Sequence, residues 1–137
     1  GGQMINAKRN FALILAAALL LSGCAADRSK ESKKIIEKDN GKLVELTVGN
    51  TLIVELPGNP STGYMWETGS VNTSVLKQVE NDTKFKSDTN LVGAPGKITL
   101  RFKAAGPGKT TLKLVYHRSW EKKVAPIKTY QADVVVK

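Results

Sequence analysis

Side chains that could carry catalysis are scarce in this sequence. Its 137 residues include one histidine, His117, and one cysteine, Cys24. Nucleophilic catalysis needs a base held beside a nucleophile, and no motif pairs His117 with one. A zinc site takes about four ligands, which one histidine and one cysteine cannot supply. Carboxylate pairs stay open as acid–base groups, but none lies in a recognisable motif. We therefore predict a protein that is not an enzyme and that needs neither metal nor cofactor.

Three short segments indicate a binding surface instead. They are Asn59-Pro60-Ser61-Thr62-Gly63, Gly93-Ala94-Pro95-Gly96 and Arg118-Ser119-Trp120. In the first segment proline fixes φ, the hydroxyl groups can bond their own backbone, and glycine tolerates a positive φ. A loop made rigid in this way loses less entropy when it binds a partner. The alternative is that the first two segments are ordinary connections between strands.

Trp120 is the most informative of these residues. It follows a predicted strand whose inward positions end at Tyr116, and Arg118 lies two residues before it. An exposed tryptophan beside an arginine is typical of a binding hot spot. The alternative is a tryptophan that folds back and caps the core. The second tryptophan, Trp66, lies within a predicted strand, and we expect it in the core.

The elements that position these segments are predicted to be β-strands. From residue 43 onward apolar residues recur with a period of two, not with the spacing of a helix. The predicted inward residues are Val44, Leu46 and Val48; Leu52, Val54 and Leu56; Ile98, Leu100 and Phe102; Leu112, Leu114 and Tyr116; and Tyr130, Ala132, Val134 and Val136. Shorter strands are predicted near residues 35–36, 64–68 and 75–79, and residues 81–90 stay unassigned. The runs 43–48 and 51–56, joined by Gly49-Asn50, predict a β-hairpin.

Short strands separated by turn residues predict an all-β fold. Our first interpretation is an Ig-like antiparallel β-sandwich of about seven strands. A small barrel is the second, because periodicity does not separate the two. The exported part has the length of a single domain, and we expect a monomer.

The first residues predict a cleaved lipoprotein signal peptide. Lys8 and Arg9 precede an apolar run over residues 11–21, which is short for a membrane span. Residues 21–24 read Leu-Ser-Gly-Cys and resemble a bacterial lipobox. The resemblance implies cleavage before Cys24 and lipidation of its thiol, which would anchor the protein to a membrane. The alternative is an ordinary buried thiol.

These patterns divide the chain into three parts. Residues 1–23 are the predicted signal peptide, and residues 1–3, before Met4, are treated as a cloning artefact. Residues 24–34 are the lipidated cysteine and a polar tether, and residues 35–137 are the β-sandwich domain. Because Cys24 is the only cysteine, no disulfide is expected within that domain. We expect export and a lipid anchor in the bacterial cell envelope, at the outer membrane or cell surface.

The chain is strongly basic, with 21 Lys and Arg against 12 Asp and Glu and a net charge of +9. Many basic residues alternate with apolar ones along predicted strands, where a sheet needs an outward polar face. Examples are Lys97, Arg101, Lys103, Lys109 and Lys113. We expect no basic cluster interleaved with exposed aromatic residues, so no nucleic-acid partner is predicted. We interpret the excess as a solvated cationic surface; the alternative is attraction to an anionic envelope or an acidic target.

Together, the three segments resemble the loops of the chagasin-type (I42) inhibitors of papain-like cysteine proteases. The resemblance extends from about Ile35 to Val136. It includes the framework phrases Glu55-Leu56-Pro57, Gly63-Tyr64-Met65-Trp66, Lys103-Ala104-Ala105-Gly106 and Tyr116-His117-Arg118. The chain departs from the family pattern at Ser61, which replaces threonine, at Pro95, which replaces glycine, and at Ser119, which replaces proline.

The resemblance implies an Ig-like sandwich whose three loops enter the active-site cleft of a papain-like protease as a wedge. Inhibition would be tight, reversible and non-covalent. Residues 59–63 would lie over the catalytic cysteine, with Thr62 nearest to it. Arg118 and Trp120 would pack on the primed side, and residues 93–96 would line the non-primed side. The alternative function is a non-inhibitory Ig-like envelope lipoprotein that acts as an interaction or structural module.

Overall fold

The computed structural model describes residues 31–137, so the predicted signal peptide and Cys24 lie outside the described residues. This part of the chain forms nine strands and two short 3-10 turns, Glu37–Asp39 and Pro60–Thr62, and has no α-helix. The strands are β1 (Ser32–Ile36), β2 (Leu43–Leu46), β3 (Thr51–Gly58), β4 (Met65–Ser70), β5 (Leu76–Gln78), β6 (Lys84–Ser87), β7 (Gly96–Ala104), β8 (Gly108–His117) and β9 (Lys128–Val136). β1 begins a few residues before the predicted start of the domain at Ile35.

The strands form two sheets packed as a sandwich. One sheet has the order β1-β3-β7-β5, with β6 paired along the same side of β7 as β5; the other has the order β2-β9-β8-β4. The predicted all-β sandwich is confirmed, with nine strands rather than about seven. The sheets are mixed, because β1 runs parallel to β3 and β2 runs parallel to β9. β6 lies within the polar segment that the sequence left unassigned.

The predicted β-hairpin between residues 43–48 and 51–56 is wrong. β2 pairs with β9 and β3 pairs with β7, so the two strands belong to different sheets. The chain passes between the sheets at Gly49, whose backbone N–H bonds to the carbonyl of Ala104. Both runs still direct their apolar residues into the core, but they do so from opposite sheets. Val48 is the exception, since it is 38 % exposed after the end of β2.

The core lies between the two sheets. The other residues predicted to point inward are all buried, including Leu52, Phe102 and Leu114 at 0 % exposure. Trp66 is also buried, as predicted, and its Nε1 donates to the carbonyl oxygen of Pro57. Among residues 31–137, the buried core side chains lie between Ile35 and Val136, so a fragment that begins after Cys24 retains this core.

The strand register brings three connections to one end of the sandwich. The end of β3, at Gly58, lies opposite the beginning of β7, at Gly96. The beginning of β4, at Met65, lies opposite the end of β8, at His117. The opposite end holds the start of β1, because Ser32 pairs with Thr51 at the first residue of β3. In the described part of the chain no helix has the length and apolarity to cross a membrane.

Candidate binding loops

We name the three connections loop 1 (residues 59–63), loop 2 (residues 93–96) and loop 3 (residues 118–120). Loop 1 is held by its own hydrogen bonds. Asn59 caps the 3-10 turn, because its Oδ1 accepts from the backbone N–H of Ser61 at 3.2 Å and from the Ser61 hydroxyl at 2.6 Å. The Thr62 hydroxyl donates to the Asn59 carbonyl at 2.6 Å, and Gly63 closes the turn with a φ of 86°. The predicted rigid loop is therefore present.

Loop 1 is joined to loop 2 through the side chain of Asn59. Its Nδ2 donates to the carbonyl of Gly93 at 3.0 Å, and the Ser61 hydroxyl lies 3.5 Å from the same oxygen. The amide of Asn59 thus uses its oxygen within loop 1 and its nitrogen toward loop 2. This double use explains why an asparagine suits this position better than a serine or an aspartate.

Loop 1 is joined to loop 3 through Arg118. The Nε of Arg118 donates to the carbonyl of Thr62 at 3.1 Å. Its guanidinium lies 4.5 Å from the centre of the Tyr64 ring, and one terminal nitrogen is 3.5 Å from a Glu121 oxygen. A planar guanidinium can stack on a ring and donate from its edge at the same time. Arg118 therefore fixes loop 3 to loop 1 and to Tyr64, which lies between loop 1 and β4.

Trp120 extends over loop 1 at Gly63. A Cβ atom added to Gly63 would lie 2.5 Å from Cη2 of Trp120, so the indole packs where a side chain would otherwise stand. Trp120 is nonetheless 65 % exposed and does not cap the core. The remainder of its ring is free to bury apolar surface against a partner, as expected of a binding hot spot.

A row of aromatic rings lies beneath the loops. The ring of Tyr116 is 5.5 Å from that of Tyr64 and 5.0 Å from that of Trp66. The hydroxyl of Tyr116 accepts a hydrogen bond from the backbone N–H of Asn59 at 3.0 Å. Because Tyr116 and Trp66 are buried core residues, this row connects loop 1 to the rigid interior.

Loop 2 differs from the other loops in how it is held. The carbonyl of Pro95 accepts from the N–H of Asp88 at 3.1 Å, which closes the connection between β6 and β7. Gly96 is the first residue of β7 and is buried, and a Cβ there would collide with the backbone of Lys86. Gly96 is therefore needed for strand pairing, and the accessible surface of loop 2 consists of its first three residues.

Two apolar side chains beside loop 2 were not singled out from the sequence. Leu91 is 75 % exposed and Val92 is fully exposed, immediately before Gly93. Gly93 itself is bonded to Asn59 of loop 1. The available signal was a pair of large apolar residues in an otherwise polar stretch. They add exposed apolar surface to the connection that contains loop 2.

The single histidine is paired with a carboxylate. The Nε2 of His117 lies 2.8 Å from Oε2 of Glu67 on the neighbouring strand. Within residues 31–137 no group of three or more histidine, cysteine, aspartate or glutamate side chains could hold a metal ion.

Comparisons with known proteins find similar sequences and folds. Residues 45–134 match the family model described as Chagasin family peptidase inhibitor I42. Chagasin of Trypanosoma cruzi is 34% identical over 94 residues, which cover 65% of this chain and 84% of that protein. The cysteine protease inhibitor EhICP2 of Entamoeba histolytica superposes with a TM-score of 0.68 at 26% identity, covering 78% of this chain and 96% of that chain. PbICP-C, solved in complex with falcipain-2, shares the fold, with a TM-score of 0.52 at 22% identity and coverage of 79% and 100%.

Proposed function

The chain belongs to the chagasin family of peptidase inhibitors, and on this premise we propose that it inhibits papain-like cysteine proteases by inserting its three loops into the active-site cleft. The family consists of peptidase inhibitors and not of enzymes, which confirms the prediction of a non-enzyme. The description of EhICP2 as a cysteine protease inhibitor and the complex of PbICP-C with falcipain-2 support this class of target.

The observation that carries the proposal is the set of hydrogen bonds that joins the three loops. Asn59 bonds to Gly93 at 3.0 Å, and Arg118 bonds to Thr62 at 3.1 Å. The loops are thus arranged relative to one another before a partner arrives. Preorganisation lowers the entropy lost on binding, and a cleft-filling inhibitor needs this property because all three loops must enter together.

The proposed roles follow the position of each loop. Loop 1 occupies the middle and lies over the catalytic cysteine, with the exposed Thr62 nearest to it. Trp120 of loop 3 packs on the primed side of the cleft, and loop 2 lines the non-primed side. Inhibition is reversible and non-covalent, since the loops present hydroxyl, amide and aromatic groups and no reactive thiol.

Titration of papain with a soluble fragment, residues 25–137, tests the proposal. Residual peptidase activity should fall stoichiometrically, and Trp120→Ala should raise the inhibition constant by at least tenfold, as truncation of a hot-spot tryptophan commonly does. Leu43→Ala is the matched control, because Leu43 is 60 % exposed but lies on β2, outside the loops. A folded fragment that inhibits none of several papain-like proteases would contradict the proposal and favour a non-inhibitory envelope module.

We also propose that the inhibitor is a monomer anchored to the bacterial envelope by a lipid on Cys24. The lipobox-like residues 21–24 and the basic, then apolar, residues before them support the lipid anchor. Metabolic labelling with a palmitate analogue should mark the full-length chain and not its Cys24→Ser variant. Labelling of both proteins, or recovery of the wild type in the soluble fraction, would contradict the anchor.

A further inference from the structure

Positive charge is concentrated on one outer surface of the sandwich. The pairing register places seven basic side chains on the outward side of the sheet that contains β3 and β7. We call this surface the basic face; its cations are Lys34, Lys77, Lys84, Lys86, Lys97, Arg101 and Lys103. Two acidic residues, Glu55 and Asp82, accompany them.

The outer surface of the second sheet is different. Its strands present only two outward lysines, Lys109 and Lys113. Three acidic residues accompany these lysines, namely Glu45, Glu67 and Asp133. The outer sides of the two sheets therefore differ in charge, with seven basic and two acidic residues on one and two basic and three acidic residues on the other.

Lysines face each other directly across the strands of the basic face. Lys77 on β5 lies opposite Lys103 on β7, and Lys86 on β6 lies opposite Lys97 on β7. Like charges in directly opposed positions destabilise a sheet. An anionic partner would remove this repulsion, whereas water screens it only in part.

The two acidic residues of this surface pair with three of its own cations, Lys34, Lys84 and Arg101. Glu55 lies 2.9 Å from the ammonium of Lys34, and Asp82 lies 3.3 Å from Arg101 and 3.5 Å from Lys84. Within residues 31–137, the four lysines of the two opposed pairs therefore form no ion pair. These exposed ammonium groups are available to a partner.

We infer that the basic face docks against the anionic lipid headgroups of a membrane. Electrostatic attraction of this kind adds up over clustered lysine and arginine side chains. The outer side of a sheet is broad and shallow and suits a planar bilayer better than it suits a pocket-seeking ligand. Among residues 31–137, the exposed aromatic residues are Trp120 at the loops and Phe85, which lies opposite the inward-pointing Ile98. Neither is on the outward side that carries the lysines, which disfavours a base-stacking platform for single-stranded nucleic acid.

The path of the chain supports this orientation. β1 is the edge strand of the same sheet, and the described residues begin immediately before it at Glu31. An extended chain spans at most about 3.5 Å per residue, so Cys24 lies within about 25 Å of Glu31. A lipid on Cys24 would therefore hold the basic face close to the bilayer. The loops lie at the far ends of β3 and β8, so a domain that rests on its sheet keeps them accessible.

Vesicle sedimentation of the unlipidated fragment, residues 25–137, tests the inference without any contribution from Cys24. Binding is expected to vesicles of phosphatidylcholine and phosphatidylglycerol at about 3:1, to fall steeply as salt is raised, and to be absent on pure phosphatidylcholine. The variant Lys77→Gln, Lys86→Gln, Lys103→Gln should lose affinity by tenfold or more. Its matched control is Lys109→Gln, Lys113→Gln, Lys137→Gln, which has the same net charge and should change binding far less.

Three outcomes would overturn the inference: no binding to anionic vesicles at low salt, an equal loss in both triple variants, or tighter binding to duplex DNA than to vesicles at the same salt. Both triple variants should inhibit papain like the wild type, because none of their residues lies in the loops. This second measurement separates failure of the membrane inference from failure of the proposed inhibitory function, which it goes beyond.

Discussion

The backbone N–H of Asn59 donates a hydrogen bond of 3.0 Å to the hydroxyl of Tyr116, 57 residues later in the chain. Tyr116 is 7 % exposed and stacks between Tyr64 and Trp66. A buried ring on β8 thus holds the first residue of loop 1. The position of the candidate binding surface depends on this contact between the core and the loop.

Tyr116→Phe should weaken inhibition with little change in the packing of the ring. The Asn59 N–H would lose its acceptor, which costs about 1 kcal/mol, and loop 1 would be held less firmly. We expect the inhibition constant for papain to rise about fivefold, as a 1.4 kcal/mol loss corresponds to tenfold. Tyr130→Phe is the control, since its buried hydroxyl donates to the Ile36 carbonyl on β1 and not to a loop residue. Equal effects of the two variants on inhibition would contradict this role.

Gly63→Ala should damage the contact between loops 1 and 3. Gly63 has a φ of 86°, and its added Cβ would lie 2.5 Å from the Trp120 ring. The left-handed conformation costs about 1 to 2 kcal/mol for a residue with a Cβ. Displacement of the indole adds a loss of affinity that we expect to be tenfold or more when inhibition is titrated.

Gly41→Ala separates strain from displacement. Gly41 has a similar φ of 82°, but nothing lies within 4 Å of its added Cβ. The Gly41→Ala variant should therefore lose a comparable free energy of unfolding, measured by chemical denaturation, and should inhibit papain normally. If it weakened inhibition as much as Gly63→Ala, the contact with Trp120 would not be the reason.

The strands and their inward faces could be predicted because alternation along a strand reports which side is buried. The runs in β7, β8 and β9 show this, since every residue predicted to be inward there is buried. Alternation does not indicate which other strand pairs with a given strand. The hairpin expected at Gly49-Asn50 was wrong for this reason, because both runs point inward from opposite sheets.

The local structure of loop 1 could be predicted from its composition, but the contacts between the loops could not. The capping role of Asn59 and the positive φ of Gly63 follow local rules for turns. The bonds from Asn59 to Gly93 and from Arg118 to Thr62 join residues 34 and 56 positions apart. Only the register of β3, β7 and β8 brings those residues together, and no local pattern specifies that register.

Arg118→Lys should impair inhibition although the charge is kept. Lysine has no N–H group at the position of the Arg118 Nε, which donates to the Thr62 carbonyl. It also lacks the planar guanidinium that stacks on the Tyr64 ring. We expect the inhibition constant to rise about tenfold, and Arg118→Gln to behave similarly. If Arg118→Lys inhibited papain like the wild type and Arg118→Gln did not, the required feature would be the positive charge and not the positioning of the loops.

Two departures from the family pattern should lower affinity. Ser119, between Arg118 and Trp120, is exposed, and proline at a compatible position removes unbound conformations worth about 0.4 to 1 kcal/mol. Ser119→Pro should therefore tighten inhibition by about two- to fivefold.

Pro95→Gly should act in the same direction, because it restores a backbone N–H that proline lacks. Unchanged or poorer inhibition constants for both variants would contradict this explanation.

Tyr130 should make the stability of the domain fall at high pH. Burial of the ring and, secondarily, the Asp39 carboxylate raise the pKa of Tyr130 to about 12 from its ordinary value of 10.0. The folded state thus disfavours the phenolate more than the unfolded state does. Its contribution is fully present below pH 10 and is lost as the pH rises toward 12, by about 2 to 3 kcal/mol in total. Chemical unfolding of the wild type and Tyr130→Phe across this window measures the effect. The wild type should lose more free energy of unfolding than the variant, and parallel losses in the two proteins would show that other groups cause the decline.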